Sequence, residues 1–281
     1  YMTIVIPILL FRIRRLYQAN GAKGNKIYTF CLFGFAAAFL ILSQSRTGLL
    51  AAGLMCLAFI FFSVQQNRRK AKKILKIVLI CILLAAVFVP ITYYLVNLLS
   101  VPFQELLKED GIGLGSLSQL LDNLALRFEH EGQNLDEISS GRLQIWKSYA
   151  ARVRLFGNKS YRFTVYQRGL NTSSHNTILQ IMFENGLFAG IVFFLFNILS
   201  GLRTIKYYLY HRNKKARYPE FPLILSIGFL VTYLLESIFS PFSYLITLVY
   251  MMLQAPLFDP VLDQQRLSLK ELFSLKERDA L

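Results

Sequence analysis

Apolar positions in this chain gather into long blocks instead of the single stripe of a water-facing helix. Near-continuous hydrophobic runs occupy about 27–43, 48–64, 74–98, 187–205, 222–240 and 242–258. Crossing the hydrocarbon core takes about 20 apolar residues, with about 17–25 tolerated, so each block reads as a transmembrane helix. Residues 1–11 read as the tail of another span, since eleven residues cannot cross and the chain opens on Tyr1. The sequence is therefore expected to be the C-terminal part of a longer membrane protein. The fold class it predicts is all-α: a polytopic transmembrane helical bundle with a large extracytoplasmic helical loop. Spans fill 1–100 and 187–258, the loop covers 101–186, and 259–281 is a cytoplasmic tail.

Within the loop the pattern changes period. Leu117, Leu120, Leu121, Leu124 and Phe128 recur at helical spacing, and Ser116 with Gln119 has the form of a capping box. A helix lying on the membrane surface or packed over the spans is predicted there. A second helix is predicted from about Ser140 to Phe156, where Ile145, Trp146, Tyr149, Val153 and Phe156 make one apolar stripe. Arg142 falls in the middle of that stripe. It must be desolvated there, and it faces the positive end of the helix dipole; a bound anion relieves both penalties. A third piece, Thr172-Ser173-Ser174-His175-Asn176, precedes the apolar run of Ile178, Leu179, Ile181 and Met182. Its serines are N-cap candidates, which places His175 in a helix's first turn, where the dipole favours the neutral, proton-accepting imidazole.

Charge sets the orientation. Of 31 lysines and arginines, 21 lie at 12–26, 68–76, 203–217 and beyond 259, all on one side if the spans alternate. The positive-inside rule makes that side cytoplasmic. The segment 101–186, with 9 basic and 9 acidic residues, is then external. The formal net charge of +15 thus speaks of membrane topology and argues against a nucleic-acid partner, which needs cations gathered on one soluble face. Cys31, Cys56 and Cys81 lie inside spans without metal-type spacing, so zinc and disulfide readings fail. Gly111-Ile-Gly113-Leu-Gly115 lacks the spacing of a dinucleotide loop, and no Walker-type lysine loop or DxD-type metal pair occurs. A transporter or flippase usually carries ionisable groups within its spans; these span interiors are almost free of them.

Three residues remain as candidate chemistry: Arg46 at the 43–48 hairpin tip, Arg142 and His175. Each has an ordinary alternative. Arg46 can snorkel at a helix end, Arg142 can pair with Asp136 or Glu137, and His175 can be a hydrogen-bonded structural histidine. Together they offer more. Two guanidinium forks and a helix N-terminus hold a diphosphate, and a neutral histidine deprotonates an attacking hydroxyl. Glu184 is the best-placed acid nearby, with a structural hydrogen bond at a helix bend as its ordinary role. Glu236, near the outer end of its span, is a candidate supporting partner.

From about residue 27 to 205 the chain resembles the bacterial O-antigen ligase and Wzy-type polysaccharide polymerase superfamily. The resemblance is carried by Ser43-Gln44-Ser45-Arg46-Thr47-Gly48 before a span, and by Ser140-Gly141-Arg142 followed by Ile145-Trp146. It is carried also by His175-Asn176 followed by Glu184-Asn185-Gly186-Leu187 and Gly190. It implies an integral-membrane, metal-independent inverting glycosyltransferase without a cofactor, in the bacterial cytoplasmic membrane with its active site facing outside. The implied donor is a glycan on undecaprenyl diphosphate, and the acceptor another glycan, joined into capsular or O-antigen polysaccharide. Ligation of a finished glycan to another acceptor is the alternative. Membrane lipid, a flippase and a chain-length regulator are the implied partners. By this analogy Arg46 and Arg142 bind the diphosphate and His175 activates or orients the acceptor hydroxyl. One departure stands out. Members often carry Pro-Leu-x-Gly-x-Gly ahead of the His-Asn pair, whereas here Leu155-Phe156-Gly157-Asn158 leads into the basic, aromatic stretch Lys159–Arg168. Tyr161, Arg162 and Tyr166 in that stretch, with Glu184, are the candidate sugar-binding residues.

Overall fold

The computed structural model describes residues 2–18, 22–43, 45–66, 71–107, 119, 122, 141–158, 163–165, 170–213 and 218–236. The chain divides into two compact units, Tyr1–Asn134 and Leu135–Leu281.

The first unit contains α1 (Met2–Gln18), α2 (Lys23–Leu42), α3 (Arg46–Gln66) and α4 (Ala71–Leu107). Small residues let these helices approach closely, as expected where apolar packing cannot draw on water. A methyl group at Gly34 would sit 2.6 Å from a ring carbon of Phe88 on α4, and Ala37 and Ala38 on α2 are buried beside it. Phe11 and Phe59 meet edge to face at 5.1 Å between α1 and α3. Nearby, the Arg14 guanidinium donates to Ser63 Oγ at 3.0 Å, so this buried cation has a polar partner. The predicted span near 74–98 is longer than expected: α4 passes through Pro90 and ends at Leu107. A proline costs a membrane helix one backbone bond without ending it.

The second unit contains α5 (Arg142–Ala150), β1 (Phe163–Val165), β2 (Leu170–Thr172), α6 (Thr177–Asn185), α7 (Leu187–Asn213) and α8 (Phe221–Leu235). Among the described residues the all-helical reading holds for nearly all of the secondary structure. Its exception is a short antiparallel hairpin pairing Phe163 with Thr172 and Val165 with Leu170, built from the β-favouring Phe, Thr and Val. α2, α3, α4 and α7 are long and apolar enough to cross a bilayer. α5 packs on α6 through Ile145, Tyr149, Leu179 and Phe183, with the Tyr149 and Phe183 rings 4.7 Å apart.

Two sequence expectations need correction here. The second loop helix is shorter than 140–156, ending at Ala150, and Phe156, assigned to its apolar stripe, is 89 % exposed. The chain leaves the helix because residues 151–158 turn back onto α6. Asn158 donates to the Phe183 carbonyl from both its backbone N, at 2.9 Å, and its side chain, at 3.0 Å. Gly157 (φ +78°) and Gly186 (φ +105°) permit that contact: a methyl group on either would overlap a backbone carbonyl, of Glu184 and Leu155 respectively. The span expected over 222–240 likewise stops early. α8 ends at Leu235, and Glu236 adopts an extended backbone (φ −139°, ψ 150°). The stretch 242–258 lies outside the described residues. So does the predicted 116–128 helix, apart from Gln119 and Asp122, which are helical.

Candidate active site

The early end of α8 is where the chemistry collects. A helix leaves its last carbonyls without intrahelical partners and carries a partial negative charge there, while a helix start carries the opposite. Here the start of α6 meets the end of α8. Asn176 Nδ2 donates to the Leu234 carbonyl at 3.2 Å, and Thr177 Oγ1 donates to the Glu236 carbonyl at 2.7 Å. Carbonyls at the end of α8 are thereby satisfied by protein side chains.

Asn176 also caps its own helix, its side chain accepting from Leu179 N at 2.9 Å. His175 therefore lies outside the first turn, two residues before the helix begins at Thr177. Asn176 is the N-cap, and His175 precedes it with φ 48°. Left-handed backbone is uncommon outside glycine, although histidine is among the enriched types. The conformation is held from both sides. Ser174 N donates to Gln180 Oε1 at 2.8 Å, and Ser174 Oγ donates to the Asn176 carbonyl at 2.7 Å. Asparagine ranks with serine as an N-cap, and its position immediately before Thr177 was the available clue.

The side chains converge on Glu236. Its Oε1 accepts from Arg142 Nη2 at 3.0 Å, and its Oε2 lies 3.4 Å from His175 Nδ1. Arg142 reaches this carboxylate from the first position of α5, whose preceding residue, Gly141 (φ 77°), supplies no side-chain cap. Arg142 is partly buried, and the acid it meets among the described residues is Glu236, just past the end of α8; Asp136 and Glu137 lie outside the described residues. The three side chains are 21 % (Arg142), 35 % (His175) and 34 % (Glu236) exposed, enough for a ligand to reach them. One turn after Arg142, the Trp146 indole N–H is buried with no acceptor among the described residues.

Of the remaining candidates, Glu184 stands apart from this cluster within the same unit. Glu184 is near the other end of α6, roughly 13 Å from His175 at ~1.5 Å per residue. It accepts from Gln180 Nε2. Burial raises its carboxyl above the ordinary value, and the Gln180 hydrogen bond opposes part of that rise. Arg46 opens α3 in the first unit. Ser45 caps that helix, its Oγ accepting from Gly48 N at 3.1 Å, while Ser43 Oγ donates to the Leu40 carbonyl at 2.7 Å and closes α2. Tyr161, Arg162 and Tyr166 lie outside the described residues.

The family described as O-antigen ligase matches residues 31–194, more than half of the chain. The chain belongs to the O-antigen ligase family. No curated protein and no solved structure matches it. Membership of the O-antigen ligase/Wzy-type family, with four helices among the described residues long and apolar enough to span a bilayer, makes this a multi-pass membrane protein of ligase/polymerase type. It is a glycosyltransferase-like enzyme acting on lipid-linked glycans. Arg46, Arg142, His175 and Glu184 all fall inside the matched segment, whereas Glu236 falls outside it.

Proposed function

We propose that this family member polymerises oligosaccharide repeat units carried on undecaprenyl diphosphate, at the outer face of the bacterial cytoplasmic membrane. The observation that carries the reading is the shared carboxylate: Arg142 and His175, an anion-binding fork and a proton acceptor, are held against Glu236 at a junction of helix ends. The acceptor hydroxyl oxygen attacks the anomeric carbon from the face opposite the diphosphate. The new C–O bond forms as the bond to the diphosphate oxygen breaks, which inverts the centre. The hydroxyl proton passes to His175, and the bonding electron pair leaves with the lipid diphosphate. Arg142 stabilises the developing phosphate charge, a type of contribution that removal of one preorganised donor shows to be worth about 10²–10³ in rate. Arg46 is assigned as a second phosphate-binding cation, on its place at a helix start and the family motif that contains it. Tyr161, Arg162 and Tyr166 are assigned to acceptor recognition, and Glu184 to the substrate side of the α6–α7 bend. The reaction needs no nucleotide, because the sugar–diphosphate bond supplies the driving force, and the family resemblance implies that it needs no metal. A flippase delivering the donor and a chain-length regulator are its expected partners.

A second reading, ligation of a finished glycan to another acceptor, is favoured by the family's description. Purified full-length protein given undecaprenyl-diphosphate oligosaccharide, without nucleotide or added metal, tests both. A ladder of lengthening products establishes the polymerase. Product formed only when a separate acceptor is supplied establishes the ligase. No glycan transfer under either condition overturns the transferase reading.

A further inference from the structure

Glu236 is a charge that the transfer step itself does not consume. Its backbone is fixed at both ends of the residue, the N–H donating to the Thr232 carbonyl at 2.8 Å and the carbonyl accepting from Thr177 Oγ1 at 2.7 Å. Only the side chain is left to move. That side chain sits unequally between its partners. At 3.0 Å from Arg142 it makes a full charge-assisted hydrogen bond, whereas 3.4 Å from His175 Nδ1 is beyond the usual N–H···O range. The carboxylate therefore occupies the same guanidinium that a diphosphate needs. A diphosphate beside an unmoved Glu236 places like charges together in a partly water-excluded site, which is unfavourable.

Resting on the transferase reading, we propose that Glu236 is a positioning residue that changes partners when donor binds. In the empty site it neutralises Arg142. When the diphosphate takes Arg142, the carboxylate closes onto His175 Nδ1–H. That contact holds the tautomer whose Nε2 lone pair is available to the acceptor hydroxyl, and it stabilises the imidazolium formed when the proton arrives. Arrival of the donor thus readies the base, and one carboxylate links the two events. The coupling is reciprocal, as any linkage must be. Glu236 restrains donor affinity and repays this in the rate of transfer.

The test is a split between binding and turnover in the full-length protein. Glu236→Gln keeps the shape and removes the charge. Sugar-free undecaprenyl diphosphate is expected to bind this variant about fivefold or more tightly than wild type. Its kcat for transfer falls by about 10- to 100-fold, with a lower donor KM. A purely structural role gives the opposite pattern, weaker binding and a raised KM. Unchanged or weaker binding of the lipid diphosphate overturns the exchange. If Arg142→Ala and His175→Ala keep transferring glycan, the assignment of the site fails and the exchange with it, whereas wild-type protein that transfers no glycan overturns the transferase reading itself. If both are inactive while Glu236→Gln binds no tighter, only the exchange fails. Should Glu236→Gln not accumulate, wild-type protein labelled with ¹⁵N-histidine decides. The ring nitrogens of His175 shift on adding undecaprenyl diphosphate while those of His130 and His211 stay, and an unmoved His175 overturns the proposal.

Discussion

Arg46 and Arg142 stand at equivalent points of two different helices, the first residue of α3 and the first residue of α5. Each faces the partial positive charge that a helix start carries, about half an elementary charge. The two helices deal with that start differently. At α3 the solution is local: Ser45 supplies the cap from the neighbouring position, binding Gly48 N through its side chain and Leu49 N, at 2.9 Å, through its carbonyl. At α5 the preceding Gly141 offers no side-chain cap, and an acid arrives from the end of α8. A helix start capped by its neighbour needs no distant group to complete that cap. One that borrows a counter-ion makes its arginine sensitive to whatever competes for that ion.

This contrast can be broken or sharpened by mutation. The largest effects are expected at Arg142 and His175. Replacing either with Ala abolishes high-molecular-weight glycan at normal protein levels, with transfer reduced about 10²–10³-fold in a purified assay. Arg46→Ala is expected to match them. Full polymer from Arg46→Ala beside a silent Arg142→Ala would make Arg46 an ordinary helix-end residue and the contrast complete. Next in size is Gly157→Ala, where an added methyl meets the Glu184 carbonyl and positive φ must be kept. A loss of about 2–4 kcal/mol is expected, read as reduced folded protein and a lower melting temperature in detergent. Asn176→Ala removes the α6 cap and the bridge to Leu234, at about 1–2 kcal/mol by the same measurement. Glu184→Gln has the smallest effect. The folded protein holds this carboxyl above its ordinary value, so it binds more protons than the unfolded chain through that interval, and stability falls as pH rises across it. The Gln variant lacks this fall, and its melting temperature at neutral pH equals or exceeds that of wild type.

Much of the membrane body was legible because a bilayer imposes a simple rule of length and hydropathy. α2, α3 and α7 lie where the apolar blocks lie, and the basic clusters flank them. Arg142 was legible as an anomaly, a charge in an apolar stripe. What escaped were features decided by tertiary contact. Phe156 belongs by periodicity to a helix that has already ended, because Asn158 binds back to Phe183. His175 missed the first turn since Asn176, rather than either serine, binds Leu179 N. α8 stops at Leu235 without a proline or glycine to announce it, since the carbonyls at its end are answered by Asn176 and Thr177 from a segment far away in sequence. Glu236 was visible as an acid near a span end, but neither of its partners could be named from spacing.

The anchoring of residues 158 and 174 has a further consequence. Asn158 is tied to the Phe183 carbonyl and Ser174 to the Gln180 side chain, three positions apart on a single helix. The β1–β2 hairpin lies in the stretch between these two anchors, which draw its ends together on that helix like a drawstring. Because both anchors are on α6, a change of length or composition between them is expected to leave His175 and Gly157 in place, read as an unchanged melting temperature. Grafting this stretch from another family member is the direct trial of the proposed assignment of Tyr161, Arg162 and Tyr166 to acceptor recognition.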